Sequence, residues 1–151
     1  MSEVKTEEQE FILPTFECLN ISREGGTLWV HLNRPHQKNA LNLKMLKELE
    51  LLVQVIRPQI SIRILILSGN GGHFCAGGDV KEMANAKRDD AKRKEGEIDP
   101  IARLNRRFGH VISTLYEVPQ TVIVAVEGAA MGGGLGLVCV ADIVVATKNA
   151  V

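Results

Sequence analysis

Apolar and polar residues follow two different periodicities along this chain, and the two alternate. Short apolar runs bounded by turn residues predict strands, at residues 16–22, 28–32, 62–68, 121–126 and 143–147. Residues 43–57 and 101–116 instead repeat apolar positions every three or four residues, which predicts amphipathic helices. Because strands and helices alternate, the pattern predicts an α/β fold with parallel strands joined by helical crossovers.

Local signals set the expected ends of these elements. The residues Glu24-Gly25-Gly26 fit a hairpin turn between the first two strands. Asn42 is a predicted N-cap, and Pro58 ends the helix that follows it. The run at residues 62–68 is apolar at nearly every position, which favours a central strand covered on both faces. The inward positions expected on the two helices are Leu46, Leu49, Leu52, Val53 and Ile56, then Leu104, Phe108, Val111, Ile112 and Leu115.

Two glycine-rich stretches carry the candidate chemistry. Residues 69–83 read GNGGHFCAGGDVKEM and residues 127–136 read EGAAMGGGLG; each follows a predicted strand and leads into a predicted helix. The first amides of a helix have no partner within it, so such a turn suits a phosphate or a developing oxyanion. For the glycine triplet alone, a tight turn without a ligand is an equally good interpretation.

The two stretches together, with the block NRPHQKNALN at residues 33–42, resemble the enoyl-CoA hydratase/isomerase, or crotonase, superfamily. The matching blocks, FCAGGDVKEM at 74–83 and PQTVIVAVEGAAMGGGLGLVCVAD at 119–142, keep the order of that family. The resemblance implies a crotonase (ClpP-like) spiral of ββα units, of which this chain is the N-terminal part. The polar residues 1–14 are expected to form a flexible leader. The resemblance implies that the remaining core, 15–151, is incomplete at its C-terminus.

The resemblance also implies a site. The backbone amides of Gly78 and Gly133 would form an oxyanion hole for the thioester carbonyl of an acyl-CoA. The residues expected along the coenzyme A moiety are Lys38, Ala40, Ala76, Gly78, Asp79, Val80 and Lys81. Asp79 is in addition a predicted helix cap. No separate cofactor and no metal are implied, since coenzyme A is part of the substrate.

One position departs from the hydratase pattern. A typical hydratase of this family carries two glutamates, the first of them three residues after the middle glycine of the triplet; here that position is Gly136. The second would lie beyond Val151. Gly136 argues against the two-glutamate addition of water. The family branches that lack this glutamate include double-bond isomerases, dehalogenases and some hydratases of branched glutaconyl-type thioesters. The resemblance as a whole implies an enoyl-CoA hydratase or isomerase. The alternative is a non-catalytic member that binds coenzyme A thioesters or serves as a structural subunit.

Composition limits the number of domains, the class of partner and the cellular compartment. The 151 residues suit one domain, and a formal net charge of zero argues against a general polyanion-binding surface. Cys18, Cys75 and Cys139 show no metal-ligand spacing, which favours free thiols in a reducing, cytoplasmic setting. No apolar run is long enough to span a membrane, and the acidic N-terminus lacks a secretory signal. The family resemblance implies a homotrimer or a dimer of trimers.

Three further features are best interpreted as structural or solvent-exposed rather than functional. The basic residues Lys87, Arg88, Lys92, Arg93 and Lys94 are interleaved with acids, so a solvated surface is favoured over an RNA-binding one. His31, within a predicted strand, is expected to be structural. His73, in the glycine-rich stretch, is favoured as structural or solvent-facing rather than as a general base.

Overall fold

The computed structural model describes residues 12–90, 94 and 96–151. In chain order the elements are β1 (Leu19–Glu24), β2 (Thr27–Leu32), a 3-10 turn (Pro35–Gln37), α1 (Leu43–Ile56), β3 (Ile64–Gly69), α2 (Val80–Asp90), α3 (Pro100–Tyr116), β4 (Thr121–Val126), α4 (Gly133–Cys139) and β5 (Ile143–Ala146). The predicted alternation of strands and helices is confirmed, with β4 at the predicted bounds and other ends shifted by a few residues.

The strands form one mixed sheet in the order β1-β2-β3-β4-β5. The first two are antiparallel and join at the predicted turn, where Glu24 pairs with Thr27 and Gly25 takes a φ of +56°. Each later strand runs parallel to its neighbour, as expected when a helix connects them. The carboxyl ends of β2, β3 and β4 therefore lie at one edge of the sheet, and their loops lie side by side.

The helix α1 begins as its sequence predicts. Asn42 has an extended backbone and its side chain accepts a hydrogen bond from the N–H of Met45 at 2.8 Å. The predicted apolar face of α1 is buried in the core, as are Val111 and Leu115 of α3. Together with alternate residues of β2, β3 and β4, these side chains form one continuous core cluster.

The two faces of the sheet differ, and this corrects one prediction. Leu65 and Leu67 of β3 are buried beneath the helices, whereas Ile64 and Ile66 on the opposite face are only partly buried. The strand β3 is therefore central in the sheet but covered fully on one face only. The edge strand β5 is exposed at all four of its residues, Ile143 to Ala146, although three of them are large and apolar.

The helix α4 is only half buried. Gly134 and Leu137 point into the core, while Leu135 is 53% exposed and Cys139 is exposed. Its seven residues lie at the surface between the core and solvent.

Some predictions fall outside the described residues. These are most of the leader, residues 1–11, and the basic residues Lys92 and Arg93. Lys87 and Arg88 lie on α2 and are exposed, in agreement with a solvated face. Among the described residues, no helix combines the length and the apolar character needed to cross a bilayer.

Candidate functional site

Three loops at the carboxyl ends of β2, β3 and β4 build the candidate site. The first loop is residues 33–42, the middle loop residues 70–79 and the third loop residues 127–132. The first and middle loops run in parallel. The Ala76 N–H donates to the Lys38 carbonyl at 2.9 Å, and the Leu41 N–H donates to the Gly77 carbonyl at 2.7 Å. The Asp79 N–H returns to the Leu41 carbonyl at 2.9 Å, so the two loops are joined like short strands.

The third loop is joined to the other side of the middle loop. Cys75 donates its N–H to the Ala129 carbonyl at 2.8 Å and accepts from the Met131 N–H at 2.9 Å. The approach continues into α4, where a Cβ on Gly134 would lie 2.3 Å from the Cys75 carbonyl oxygen. Only glycine allows that contact. The two glycine-rich stretches of the sequence are therefore brought together, as predicted.

His73 has a structural role in this arrangement. Its Nδ1 accepts a hydrogen bond from the Ala129 N–H at 3.2 Å, which links the middle loop to the third loop. His31 is likewise held within the sheet, with Nδ1 2.6 Å from the Ser68 hydroxyl oxygen. The structural interpretation of both histidines is confirmed.

Two residues that sequence reasoning did not single out hold the first loop in place. The fully buried Asn39 side chain donates to the carbonyls of Asn70 and His73 at 2.9 and 2.7 Å, and accepts from the Arg34 N–H at 2.8 Å. The Arg34 guanidinium donates to the Ala40 carbonyl and, at 2.8 Å, to the Asp79 carboxylate. Arg34 and Asn39 belong to the polar block at 33–42, which the sequence did single out. Their roles could not be predicted from that block, because their partners Asn70, His73 and Asp79 lie in the middle loop.

Asp79 caps α2, as predicted. One carboxylate oxygen accepts from the N–H groups of Lys81 and Glu82 at 3.1 and 3.2 Å, while the other pairs with Arg34. Partial burial alone would raise the pKa of Asp79. The Arg34 guanidinium and the two amides outweigh it and hold that pKa below its usual value. The carboxylate is therefore charged at neutral pH and fully engaged in holding the loops.

A cavity of about 260 Å³ opens beside the joined loops. Helix α3 forms one wall, and α1, α2 and the glycine loops form the rest. Its walls are mostly apolar, and the lining residues are Leu41, Leu46, Gly78, Met83, Leu104, Asn105, Phe108 and Gly133. Asn105 supplies the one polar side chain among these eight described residues. A small apolar cavity with few polar groups is typical of a site for part of a small ligand.

Gly78 and Gly133 both line this cavity. Gly78 comes from the end of the middle loop, and Gly133 is the first residue of α4. Among the described residues, neither N–H donates a hydrogen bond to the backbone or to a side chain. The structure therefore places both predicted donors at one cavity, and leaves both N–H groups without a protein acceptor in the described chain.

The residues expected along coenzyme A lie on the first and middle loops and at the start of α2. Lys38, Val80 and Lys81 are exposed, Ala76 is partly buried, and Ala40 is buried with its carbonyl bound to Arg34. The loop pairing brings Lys38 and Ala76 into direct backbone contact. Their contact with coenzyme A remains a prediction.

Ionisable groups are absent from the cavity lining that the described residues form. Gly136 lies on α4 next to Phe108, and carries no side chain. Within residues 12–90, 94 and 96–151, no three His, Cys, Asp or Glu side chains are grouped closely enough to hold a metal ion. Phe108 and Asn105 were not recognised as cavity residues from the sequence, where Phe108 read as an ordinary core position of an amphipathic helix.

The family model described as enoyl-CoA hydratase/isomerase matches residues 22–151. The chain belongs to this family. Among solved structures, an enoyl-CoA hydratase/isomerase from Marinobacter aquaeolei is 45% identical and superposes with a TM-score of 0.80. That match covers 88% of this family member and 50% of the Marinobacter chain. The predicted crotonase fold is confirmed.

Curated relatives give the same family. The mitochondrial methylglutaconyl-CoA hydratase of Mus musculus is 34% identical over 99% of this chain and 43% of its own length. The 2,3-dehydroadipyl-CoA hydratase of Escherichia coli is 34% identical over 87% of this chain and 47% of its own length. This enoyl-CoA hydratase/isomerase family member thus spans about half the length of the curated relatives it matches.

Proposed function

We propose that this chain carries the thioester-binding and enolate-stabilising part of an enoyl-CoA hydratase or isomerase. The observation that carries the proposal is that Gly78 and Gly133, whose N–H groups have no acceptor among the described residues, both line one mostly apolar cavity. A thioester carbonyl oxygen placed between them would accept both hydrogen bonds. Negative charge develops on that oxygen when the adjacent carbon becomes enolate-like. Preorganised donors then stabilise the transition state more than the ground state.

The apolar walls strengthen this effect. A backbone N–H interacts more strongly with a developing charge where water is excluded, because the local dielectric is low. The side chains of Leu41, Met83 and Phe108 provide such an environment around the glycines. The ionic contact between Arg34 and Asp79 joins the first loop to the end of the middle loop. It supplies rigidity, which lets the amides act without reorganising during the reaction.

The substrate proposed for the acyl part is an α,β-unsaturated thioester, with branched glutaconyl-type groups as the finer candidate. The mouse relative is named for a methylglutaconyl thioester, and that acyl group carries a second carboxylate. Asn105, the polar side chain among the eight that line the cavity, offers an amide N–H₂ for such a group. We also propose the homotrimer or dimer of trimers that the family resemblance implies, and a cytoplasmic location.

A direct test uses acetoacetyl-CoA, whose enolate absorbs in the ultraviolet where the keto form does not. Two convergent donors should increase the enolate band on binding, and no acid or base from the protein is needed. We expect the band to increase with this chain and to be competed away by excess crotonyl-CoA. Saturating acetoacetyl-CoA that binds with no gain in enolate would overturn the oxyanion-hole assignment.

A pair of variants at Gly133 separates the N–H from the added side-chain atoms. Proline suits the first helical position and removes the donor, whereas alanine keeps the donor and adds a similar Cβ. That Cβ would lie 2.8 Å from Leu41 Cδ1, so both variants share the steric effect. We expect Gly133→Pro to lower kcat for an enoyl-CoA in the full-length protein about 10²–10³-fold relative to Gly133→Ala. Equal rates would contradict the role of this amide.

The second candidate function is a non-catalytic binder of coenzyme A thioesters. It is favoured by the absence of ionisable side chains from the described cavity lining and by the glycine at position 136. Binding and enolate formation would then be seen with the full-length protein, but turnover would not. Measurable hydration or isomerisation of any enoyl-CoA by that protein excludes this candidate.

A further inference from the structure

The aromatic ring of Phe108 lies directly over Gly136. A Cβ added to Gly136 would be 2.8 Å from Cζ and 3.3 Å from Cε1 of that ring, and 3.6 Å from Cδ1 of Ile112. The first of these distances is shorter than real Cβ contacts allow. A side chain at position 136 and the ring of Phe108 therefore compete for the same space.

The same ring also reaches the candidate oxyanion site. Its Cε2 lies 3.4 Å from the Cβ position of Gly133, and Phe108 lines the cavity that Gly78 and Gly133 share. The ring of Phe108 thus contacts the first turn of α4 at both Gly133 and Gly136. Leu104 and Asn105, one turn earlier on α3, face the same cavity.

We propose that Phe108 is the specificity-determining residue of the acyl cavity, and that Gly136 is required to seat it there. This inference rests on the proposed function, and it names the class of acyl group that the site takes. The ring forms the wall beside the carbon atoms next to the thioester carbonyl. The cavity of about 260 Å³ is smaller than the roughly 300–1,000 Å³ of sites for whole small molecules. A cavity of this size fits a short acyl group, and it has no room for the nucleotide part of coenzyme A as well.

The ring has a chemical consequence as well as a steric one. Phe108 is only partly buried, so the surface of its ring can contact an acyl chain. Its side chain has no group that could donate or accept a proton. An acyl chain bound in the cavity would contact this apolar ring. The ring therefore limits the length of the acyl group, and any proton transfer uses a group other than residue 136, which has no side chain.

The test compares enoyl-CoA substrates of increasing length, crotonyl, hexenoyl and decenoyl, with the full-length protein. We expect Phe108→Ala to raise kcat/KM for decenoyl-CoA relative to crotonyl-CoA at least tenfold, mainly through KM. Phe108→Leu should give a smaller shift of the same sign, and it carries the test if Phe108→Ala does not fold. Tyr116→Ala is the matched control, because it removes an aromatic ring from the same helix where the residue is 75% exposed.

The outcomes separate this inference from the proposed function. If the wild-type protein binds and turns over the thioesters but Phe108→Ala and Phe108→Leu keep the wild-type length profile, the role of Phe108 is wrong and the proposed function stands. If the wild-type protein binds none of the three thioesters, the proposed function fails and the inference fails with it. A shift in Tyr116→Ala equal to that in Phe108→Ala would also overturn the assignment.

A second measurement tests the seating of the ring without any substrate. Gly136→Ala should lower the melting temperature of this chain, because the new methyl group meets the ring. The same change made together with Phe108→Ala should lower it much less than in the Phe108 background. Gly109→Ala on α3 is the control, since a Cβ there meets nothing within 4 Å. Equal losses for Gly136→Ala in both backgrounds would contradict the direct contact.

Discussion

Arg34 and Asp79 form an ion pair of 2.8 Å that joins the first loop to the N-terminus of α2, with the two side chains only 16% and 13% exposed. The Arg34 guanidinium also donates a hydrogen bond to the Ala40 carbonyl. One planar group therefore contacts both the first loop and the end of the middle loop. The residues expected along coenzyme A lie on the first loop, on the middle loop and at the start of α2, which this contact joins. The loops of the site are thus held together by polar contacts, while the cavity beside them is mostly apolar.

The first prediction concerns that anchor. Arg34→Lys keeps the charge, but a lysine ammonium cannot reproduce the forked geometry that reaches Ala40 and Asp79 together. We expect a loss of about 1–3 kcal/mol in the free energy of unfolding, measured by urea denaturation. Arg57→Lys is the control, because Arg57 lies 3.5 Å from Glu117 in a pair that is 49% and 59% exposed. Similar losses in the two variants would contradict the anchoring role.

The second prediction concerns acid stability. The folded-state pKa of Asp79 is lowered: burial works against the shift, but Arg34 and two amides outweigh it. A lowered carboxyl pKa contributes stability above the unfolded value, about 3.9, and that contribution is lost as the pH falls through the folded value. Asp79→Asn keeps an N-cap and removes the titration. Its unfolding free energy should therefore fall less steeply than that of the wild type below about pH 4.

If the two proteins lose stability in parallel over that acid range, the ion pair of Asp79 does not contribute as argued. Urea melts at closely spaced pH values give the two slopes directly. Asp142→Asn is not a suitable control, because the Asp142 carboxylate accepts a hydrogen bond from the Val122 N–H at 2.7 Å, and the substitution would disturb that bond as well.

The third prediction concerns the thiols. All three cysteines are free, with Cys18 and Cys75 buried and Cys139 exposed. Burial raises the pKa of the Cys75 thiol to about 11, and the hydrogen bond from the Gly77 N–H offsets only part of that rise. Burial and, next, the Glu48 carboxylate raise the pKa of Cys18. Because the thiolate is the reactive form, iodoacetamide at pH 8 should label Cys139 alone in the folded chain.

Mass spectrometry of the alkylated protein counts the labels, one in the native chain and three after denaturation. Cys139→Ser should abolish the native label. Rapid native labelling of Cys75 would show that the joined loops open far more often than their hydrogen bonds indicate.

The fourth prediction compares the two faces of β3. Leu65 is fully buried, whereas its neighbour Ile66 faces the open side of the sheet. In this chain Leu65→Ala should cost about 2–5 kcal/mol, through lost burial and a cavity. Ile66→Ala should cost about 1 kcal/mol, because less apolar surface returns to water. Equal costs would mean that the open face is covered in solution.

Local sequence signals determined the order of the elements, because periodicity, caps and turns depend on residues close together in the chain. The apolar runs predicted the five strands that the described residues form, and Asn42 and Asp79 were predicted as helix caps. The glycine-rich blocks located the loops of the site. The motifs at residues 33–42, 74–83 and 119–142 identified the family.

Tertiary structure alone decided which faces and partners those elements have. An all-apolar strand is compatible with one covered face or two, so β3 could not be settled by its own residues. Arg34 and Asp79 are 45 positions apart, and Phe108 and Gly136 lie on different helices, so neither contact has a local signal. The cavity is lined by residues that are far apart in the sequence and that only the packing of the folded chain brings together. The local pattern of apolar and polar residues therefore does not predict it.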